Sequence, residues 1–244
     1  MLENLLNAIT STTVLPARRE DISFTTSDDL TLVGEVAWPE DHPAMATALF
    51  LHPLPTAGGF MDSHVIRKAS WRLPALADIA VFRFNFRGVS SPRGTSEGSF
   101  GEGIEEKKDL EAALAEAGRL GLPTPWLIGW SFGTEVILKH ARERTDRISG
   151  VILLSPPLHR ATQGELVRWQ DSPVPVVALI PEFDDFLPPQ QAREGFAVVP
   201  SVELVIAEGA KHLWVGEKQT RFVLNEITKR LNPAAAPLPE AWSV

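Results

Sequence analysis

The chain contains no cysteine in 244 residues. That excludes disulfides, thiolate metal sites and a cysteine nucleophile together. No apolar run approaches the roughly 18 residues of a membrane span. The N-terminal stretch from Met1 to Leu6 lacks the basic start and long apolar stretch of a secretory leader. Basic residues are few as well: 23 Lys and Arg stand against 31 Asp and Glu, a net charge of -8, and no dense basic run occurs. This argues against nucleic acid as a partner. G-x-x-x-x-G-K-[ST], H-E-x-x-H and any paired metal-ligand spacing are also missing. The expectation is a soluble, cytoplasmic protein with no metal and no cofactor, acting on neither nucleic acid nor membrane. No oligomeric state follows.

What remains is ordinary for a globule, with 44% hydrophobic and 22% charged residues. One domain is expected over residues 1–232, opened by a weakly amphipathic lead-in over 1–18. A Pro/Ala-rich tail, 233–244, is expected to be loose. Alternating residues predict strands over 22–26 and 30–37, with turn material at Ser27-Asp28-Asp29 between them. Buried-type strands are predicted over 45–51, 79–86, 124–128, 150–154, 174–180 and 202–206. Helices are predicted over much of 61–78 (broken near Pro74), around Leu110–Ala117, after residue 134, and around Val223–Leu231. A hairpin followed by alternating strands and helices implies a mostly parallel sheet with helices on both faces. Ligands on such sheets bind at the carboxyl ends of the strands.

One stretch carries chemistry in the context it needs. Gly129-Trp130-Ser131-Phe132-Gly133 is a G-x-S-x-G run between a predicted strand and a predicted helix. A serine on so tight a turn presents its hydroxyl outward, and the two glycines leave room for the crossing chain. That hydroxyl needs a base, and the base needs a carboxylate to orient it. Downstream of Ser131 stand His140, His159 and His212. His140 falls within the following helix. His212 follows the last predicted strand and comes last in the chain, so it is the expected base. The strand 174–180 runs into Glu182, Asp184 and Asp185, and all three compete for the acid's role.

The oxyanion that forms in acyl transfer needs N–H donors. Phe132, directly after the serine, is one candidate. In His52-Pro53-Leu54-Pro55 the two prolines have no N–H, which leaves Leu54 as the only donor between them. His52 is expected to brace that loop, with a catalytic base or a place in the substrate pocket as the alternatives. Trp130 and Trp214 flank Ser131 and His212 and are candidate pocket walls, with core packing equally open. Arg87 at a strand end is a candidate grip for an anionic group or an anchor for the Gly/Ser-rich loop 88–103.

These segments resemble the α/β-hydrolase superfamily over residues 20–231. In particular the chain resembles small cap-less bacterial serine hydrolases with a His-Pro-x-Pro segment. The matching residues are His52-Pro53-Leu54-Pro55 with Gly58 to Asp62, Phe84 to Gly88, and Trp130 to Gly133. The resemblance implies an α/β-hydrolase fold with a sheet of about seven to eight strands and no large cap. It points to Asp184 as the acid, through a G-x-x-D-x-x-x-P pattern in which Pro181 replaces the glycine, and likewise to the loop Gly209–His212. The implied activity is hydrolysis of a small-molecule carboxylic ester or thioester by Ser131, His212 and Asp184, with Leu54 and Phe132 as oxyanion donors. A peptidase or acyltransferase with the same residues, and a non-catalytic binding protein on this fold, are the alternatives. The 19 residues 155–173 leave room for one short helix around 163–169 and no lid.

Overall fold

The computed structural model describes residues 6–243. In chain order the first elements are β1 (Leu6–Ala8), β2 (Arg18–Thr25), β3 (Thr31–Trp38), β4 (Ala46–Leu51), α1 (His64–Ala77) and β5 (Ile79–Phe84). A small hairpin follows, β6 (Ser90–Ser91) with β7 (Gly94–Thr95), and then α2 (Glu106–Arg119), β8 (Pro125–Trp130) and α3 (Phe132–His140). The chain continues through β9 (Gly150–Leu154), α4 (Gln163–Val167), β10 (Val176–Phe183) and α5 (Pro189–Phe196). It closes with β11 (Glu203–Lys211), α6 (Glu217–Leu231) and β12 (Ala241–Ser243). Eight strands form one sheet in the order β11-β10-β9-β8-β4-β5-β3-β2. All neighbours from β11 to β5 pair in parallel, while β3 runs antiparallel to both β5 and β2.

The two-residue period of a strand sorts the core into two layers. Leu49 and Leu51, Phe82 and Phe84, and Val151 and Leu153 face one side, where Leu110, Ala113, Val136 and Ile137 of α2 and α3 cover them. Ala48 and Phe50, Ile79 and Val81, and Ile152 and Leu154 face the other, under Val65 and Leu73 of α1 and Val223 and Ile227 of α6. Both faces are therefore buried, as a parallel sheet requires. The short α4 is the only helix among the described residues of the 155–173 connection, so no cap covers the strand ends.

Three expectations change. The helix α1 is not broken at Pro74 but runs through it. A proline cannot donate to the carbonyl four residues back. Here the freed Ser70 carbonyl accepts instead from Arg19 Nη2 at 3.1 Å, so it is not left without a donor. The tail is not loose over its described part. The strand β12 pairs with β1 of the supposed lead-in, Leu238 is buried, and its N–H donates to Asn225 Oδ1 at 2.8 Å. Finally, α5 has no counterpart in the sequence reading, although Pro189 at its first position is a helix-start signal.

Candidate active site

The strand β8 delivers its chain to Ser131 at the carboxyl edge of the sheet, and α3 leaves from it. Ser131 has φ 51° and ψ -111°, a region that L residues rarely occupy and that holds only when the surroundings enforce it. Here the Ser131 N–H donates to Leu154 O at 2.9 Å, tying the turn to the end of β9. The flanking glycines are obligatory on distance. A Cβ on Gly133 would lie 2.1 Å from the Leu51 carbonyl oxygen, and one on Gly129 would lie 2.6 Å from Gly133 C.

Three side chains from three loops meet at this turn. Ser131 Oγ lies 3.0 Å from His212 Nε2. On the other side of the ring, Nδ1 lies 2.9 Å from Asp184 Oδ2 and 3.1 Å from Oδ1. Because a carboxylate only accepts, Nδ1 carries the ring's proton and Nε2 is left to accept from the serine hydroxyl. Asp184 is itself held by the Phe186 and Leu187 N–H groups, which donate to Oδ1 at 2.8 and 3.2 Å. Burial acts to raise the Asp184 carboxyl, but hydrogen bonds from His212 and these two N–H groups outweigh it and hold it below its ordinary value. The His212 backbone is fixed as well, its carbonyl accepting from Ser155 Oγ at 3.0 Å and Trp130 Nε1 at 3.3 Å.

The competing groups lie elsewhere. The strand β10 extends to Phe183, which keeps Glu182 within the strand, where Oε2 accepts from the Gly209 N–H at 2.7 Å. Asp185 is exposed. His140 Nε2 lies 2.8 Å from Gly103 O, where it donates. His159 stands at the site without touching the serine, its ring 5.6 Å from that of Phe186, which in turn packs on His212 at 4.5 Å.

Ser131 opens into a cavity of about 80 Å³ whose walls include Leu54, Phe132, Pro157 and Phe186. The N–H of Phe132, at the first position of α3, has no partner within its own helix. Leu54 and Phe132, the residues expected to supply the oxyanion donors, line the same cavity as Ser131.

None of the four possible pocket residues is among the walls of this cavity, and each takes the structural role that was its alternative reading. His52 is fully buried, with Nδ1–H donating to Pro53 O at 2.7 Å and Nε2 accepting from the Phe86 N–H at 3.1 Å. It braces the Leu54 loop and lines no pocket, and burial, opposed by the bond to Pro53, depresses its pKa to about 4. Trp130 and Trp214 belong to the core under α1 and α6, where Trp214 stacks on Phe222 at 6.1 Å. Trp130 steadies the His212 loop through its Nε1 donation to the His212 carbonyl. Arg87 is not among the cavity's walls, and its guanidinium bonds Asp109 at 2.7 and 2.9 Å and Asp28 at 3.1 and 3.2 Å. Glu135, His159, Arg160 and Phe186 line the cavity and were not recognised as its walls in the sequence. Glu135 was findable, since it lies one helical turn after Ser131 and so shares its face. Among the described residues no group of three or more His, Asp or Glu is arranged to hold a metal ion, and no helix is long and apolar enough to cross a membrane.

No family model matches the chain, and no curated protein matches it in sequence. Solved structures do. An α/β serine hydrolase homologue from Coxiella burnetii shares 26% of residues at a TM-score of 0.69, covering 89% of this chain and 97% of that one. An α/β serine hydrolase without a lid from Xanthomonas campestris also shares 26%, at a TM-score of 0.71 over 93% of this chain and 100% of that one. An esterase from Pyrococcus furiosus shares 17% at a TM-score of 0.72, covering 91% and 98% of the two chains. At 17% the last of these speaks for the fold alone.

Proposed function

We propose that this chain is a serine hydrolase of carboxylic esters or thioesters. Its α/β-hydrolase fold in lid-less form and its likeness to serine hydrolases support a hydrolase at the coarse level. Ser131 Oγ attacks the acyl carbon while its proton passes to His212 Nε2. The carbonyl oxygen becomes an oxyanion, stabilised by the N–H groups of Leu54 and Phe132. His212 then gives its proton to the departing alcohol or thiol, leaving the acyl group on Ser131. A water molecule, deprotonated by the same imidazole, attacks that ester and releases a carboxylic acid and the free serine. Asp184 keeps the proton on Nδ1 and offsets the imidazolium charge in both halves.

The observation that carries this reading is the Ser131 Oγ to His212 Nε2 distance of 3.0 Å, in a ring already anchored by Asp184 and facing a cavity. A nucleophile and base within hydrogen-bond reach, oriented by a third group, is the arrangement that nucleophilic catalysis requires. The test is steady-state hydrolysis of p-nitrophenyl acetate, an acetyl thioester and p-nitroacetanilide. Turnover of the first two with little or none of the third is expected. Dominant cleavage of the anilide would favour a peptidase, and diversion of the acyl group to added alcohols an acyltransferase.

A further inference from the structure

An oxyanion donor works only while its N–H is held in one direction. For Leu54 that direction is the direction of the Pro53–Leu54 peptide plane, and the end of β5 holds this plane by two routes. The peptide is trans, so its N–H points opposite to the Pro53 carbonyl. That carbonyl accepts from His52 Nδ1–H at 2.7 Å, and His52 Nε2 accepts from the Phe86 N–H at 3.1 Å. The second route runs through the limb that returns from Leu54 towards α1. Its Gly59 lies against the same peptide, since a Cβ there would stand 2.2 Å from Pro53 O and 2.8 Å from Leu54 O. The Gly59 N–H also donates to Leu54 O at 2.9 Å, which couples the limb to the plane. Two residues on, the N–H of the buried Met61 donates to Asn85 Oδ1 at 2.9 Å.

We propose that Asn85 is a positioning residue for the oxyanion donor, holding the Pro53–Leu54 peptide plane through Met61 and Gly59. The inference rests on the hydrolase reading above, with Leu54 as a donor. Asn85 is fully buried and committed at every polar group. Its Nδ2 donates to Ser91 Oγ at 2.9 Å, its own N–H donates to Val33 O at 2.9 Å, and its carbonyl accepts from Ser96 Oγ at 2.8 Å. A side chain tied at both ends cannot swing to follow a displaced limb. An amide suits the place, because it offers an acceptor to an N–H and a donor to a hydroxyl. Other bonds of the limb, Phe60 N–H to Ser63 Oγ and Ser63 N–H to Phe60 O, shape it without tying it to the sheet. Arg83 Nη1 donates to Met61 O at 3.2 Å, but that is the peptide one step farther from Gly59. Without Asn85 Oδ1 the buried Met61 N–H has to move to find an acceptor, since leaving it unpaired is costly.

The experiment combines hydrolysis of p-nitrophenyl acetate with a matched pair of inhibitors, butyl trifluoromethyl ketone and the alcohol obtained by its reduction. With the ketone, Ser131 Oγ bonds to the carbonyl carbon, the carbonyl oxygen becomes an oxyanion, and the serine proton passes to His212 Nε2. The alcohol has nearly the same shape and forms no oxyanion. Asn85→Leu keeps the volume without an acceptor. Asn85→Ser, one bond shorter and out of reach of the Met61 N–H, serves the same purpose if the first variant does not fold. Asn85→Asp keeps an oxygen for that N–H. Rates are expressed per site, counted by mass after complete fluorophosphonate labelling, so lost folded protein does not enter them. In Asn85→Leu and Asn85→Ser, kcat/KM should fall by about one to two orders of magnitude. The ketone's Ki should rise by a similar factor while the alcohol's stays within about twofold, and Asn85→Asp should recover most of both losses. A kcat/KM within about threefold of wild type, or equal rises in Ki for ketone and alcohol, would overturn the inference and leave the hydrolase reading standing. A wild type that turns over no ester and takes no fluorophosphonate would remove the hydrolase reading, and this inference with it.

Discussion

Two buried clusters are built around an aspartate in the same way, and they end in opposite states. Asp109 accepts from the Arg87 backbone N–H, Nε and Nη2, and Asp184 accepts from two backbone N–H groups and a side-chain ring. The partner makes the difference. A guanidinium is always charged and only donates, so Arg87, bound to Asp109 and Asp28, offers no acceptor for a proton. An imidazole that donates through Nδ1 still has Nε2 free to accept, and here it faces a serine hydroxyl at 3.0 Å. A carboxylate in a loop thus holds structure or prepares a base according to what it grips.

Substitutions should separate the two clusters. The largest effect is expected from Asp184→Asn, which permits the wrong tautomer and should lower kcat on a p-nitrophenyl ester by about three to four orders of magnitude. Asp185→Asn, on an exposed side chain, should leave it within about twofold. Equal losses in both would break the assignment of the acid. In Arg87→Met the loss should instead be stability, roughly 3 to 5 kcal/mol by urea unfolding, because Asp109 is left as an unpaired buried charge. The kcat of the folded variant should stay close to wild type, and a drop of several orders of magnitude would place Arg87 in the site after all.

The smallest effect concerns pH. His52 titrates at about 4 when folded, below its ordinary 6.5, so the unfolded chain takes up the proton first. Its contribution is fully present above pH 6.5 and is lost as the pH falls towards 4, by roughly 3 kcal/mol at the limit. The depressed Asp184 carboxyl loses its contribution only in more acid solution, so the two windows are distinct. Urea midpoints at pH 7 and 4.5 should fall for the wild type and fall less for His52→Gln. A midpoint independent of pH over that range would contradict the buried neutral ring.

How much of this was legible in sequence depends on how local each signal is. Gly129 marks the turn because its close approach to Gly133 C is decided within five adjacent residues, whereas Gly133 meets Leu51 O across the sheet. Continuous apolar runs found the parallel strands because both faces of the sheet are buried. Between pocket wall and core packing for the two tryptophans the sequence could not choose, since sequence adjacency does not say which face of the sheet a side chain takes. Trp130 is one residue from Ser131 and lies on the opposite side, towards α1 and α6. The tail was misread for a related reason. Its composition is that of a loose segment, but Leu238 and the pairing of β12 with β1 join opposite ends of the chain, which no local pattern reveals. Arg160 escaped notice because its link to Glu135 spans 25 residues.

The central claim is that Ser131 is a nucleophile activated by His212. The most direct measurement is intact-mass and peptide analysis after exposure of the wild type, Ser131→Ala and His212→Ala to a fluorophosphonate. One adduct on Ser131 in the wild type, none in Ser131→Ala and strongly slowed labelling in His212→Ala is the expected result. An adduct on another serine, or an unmodified wild type, would contradict it.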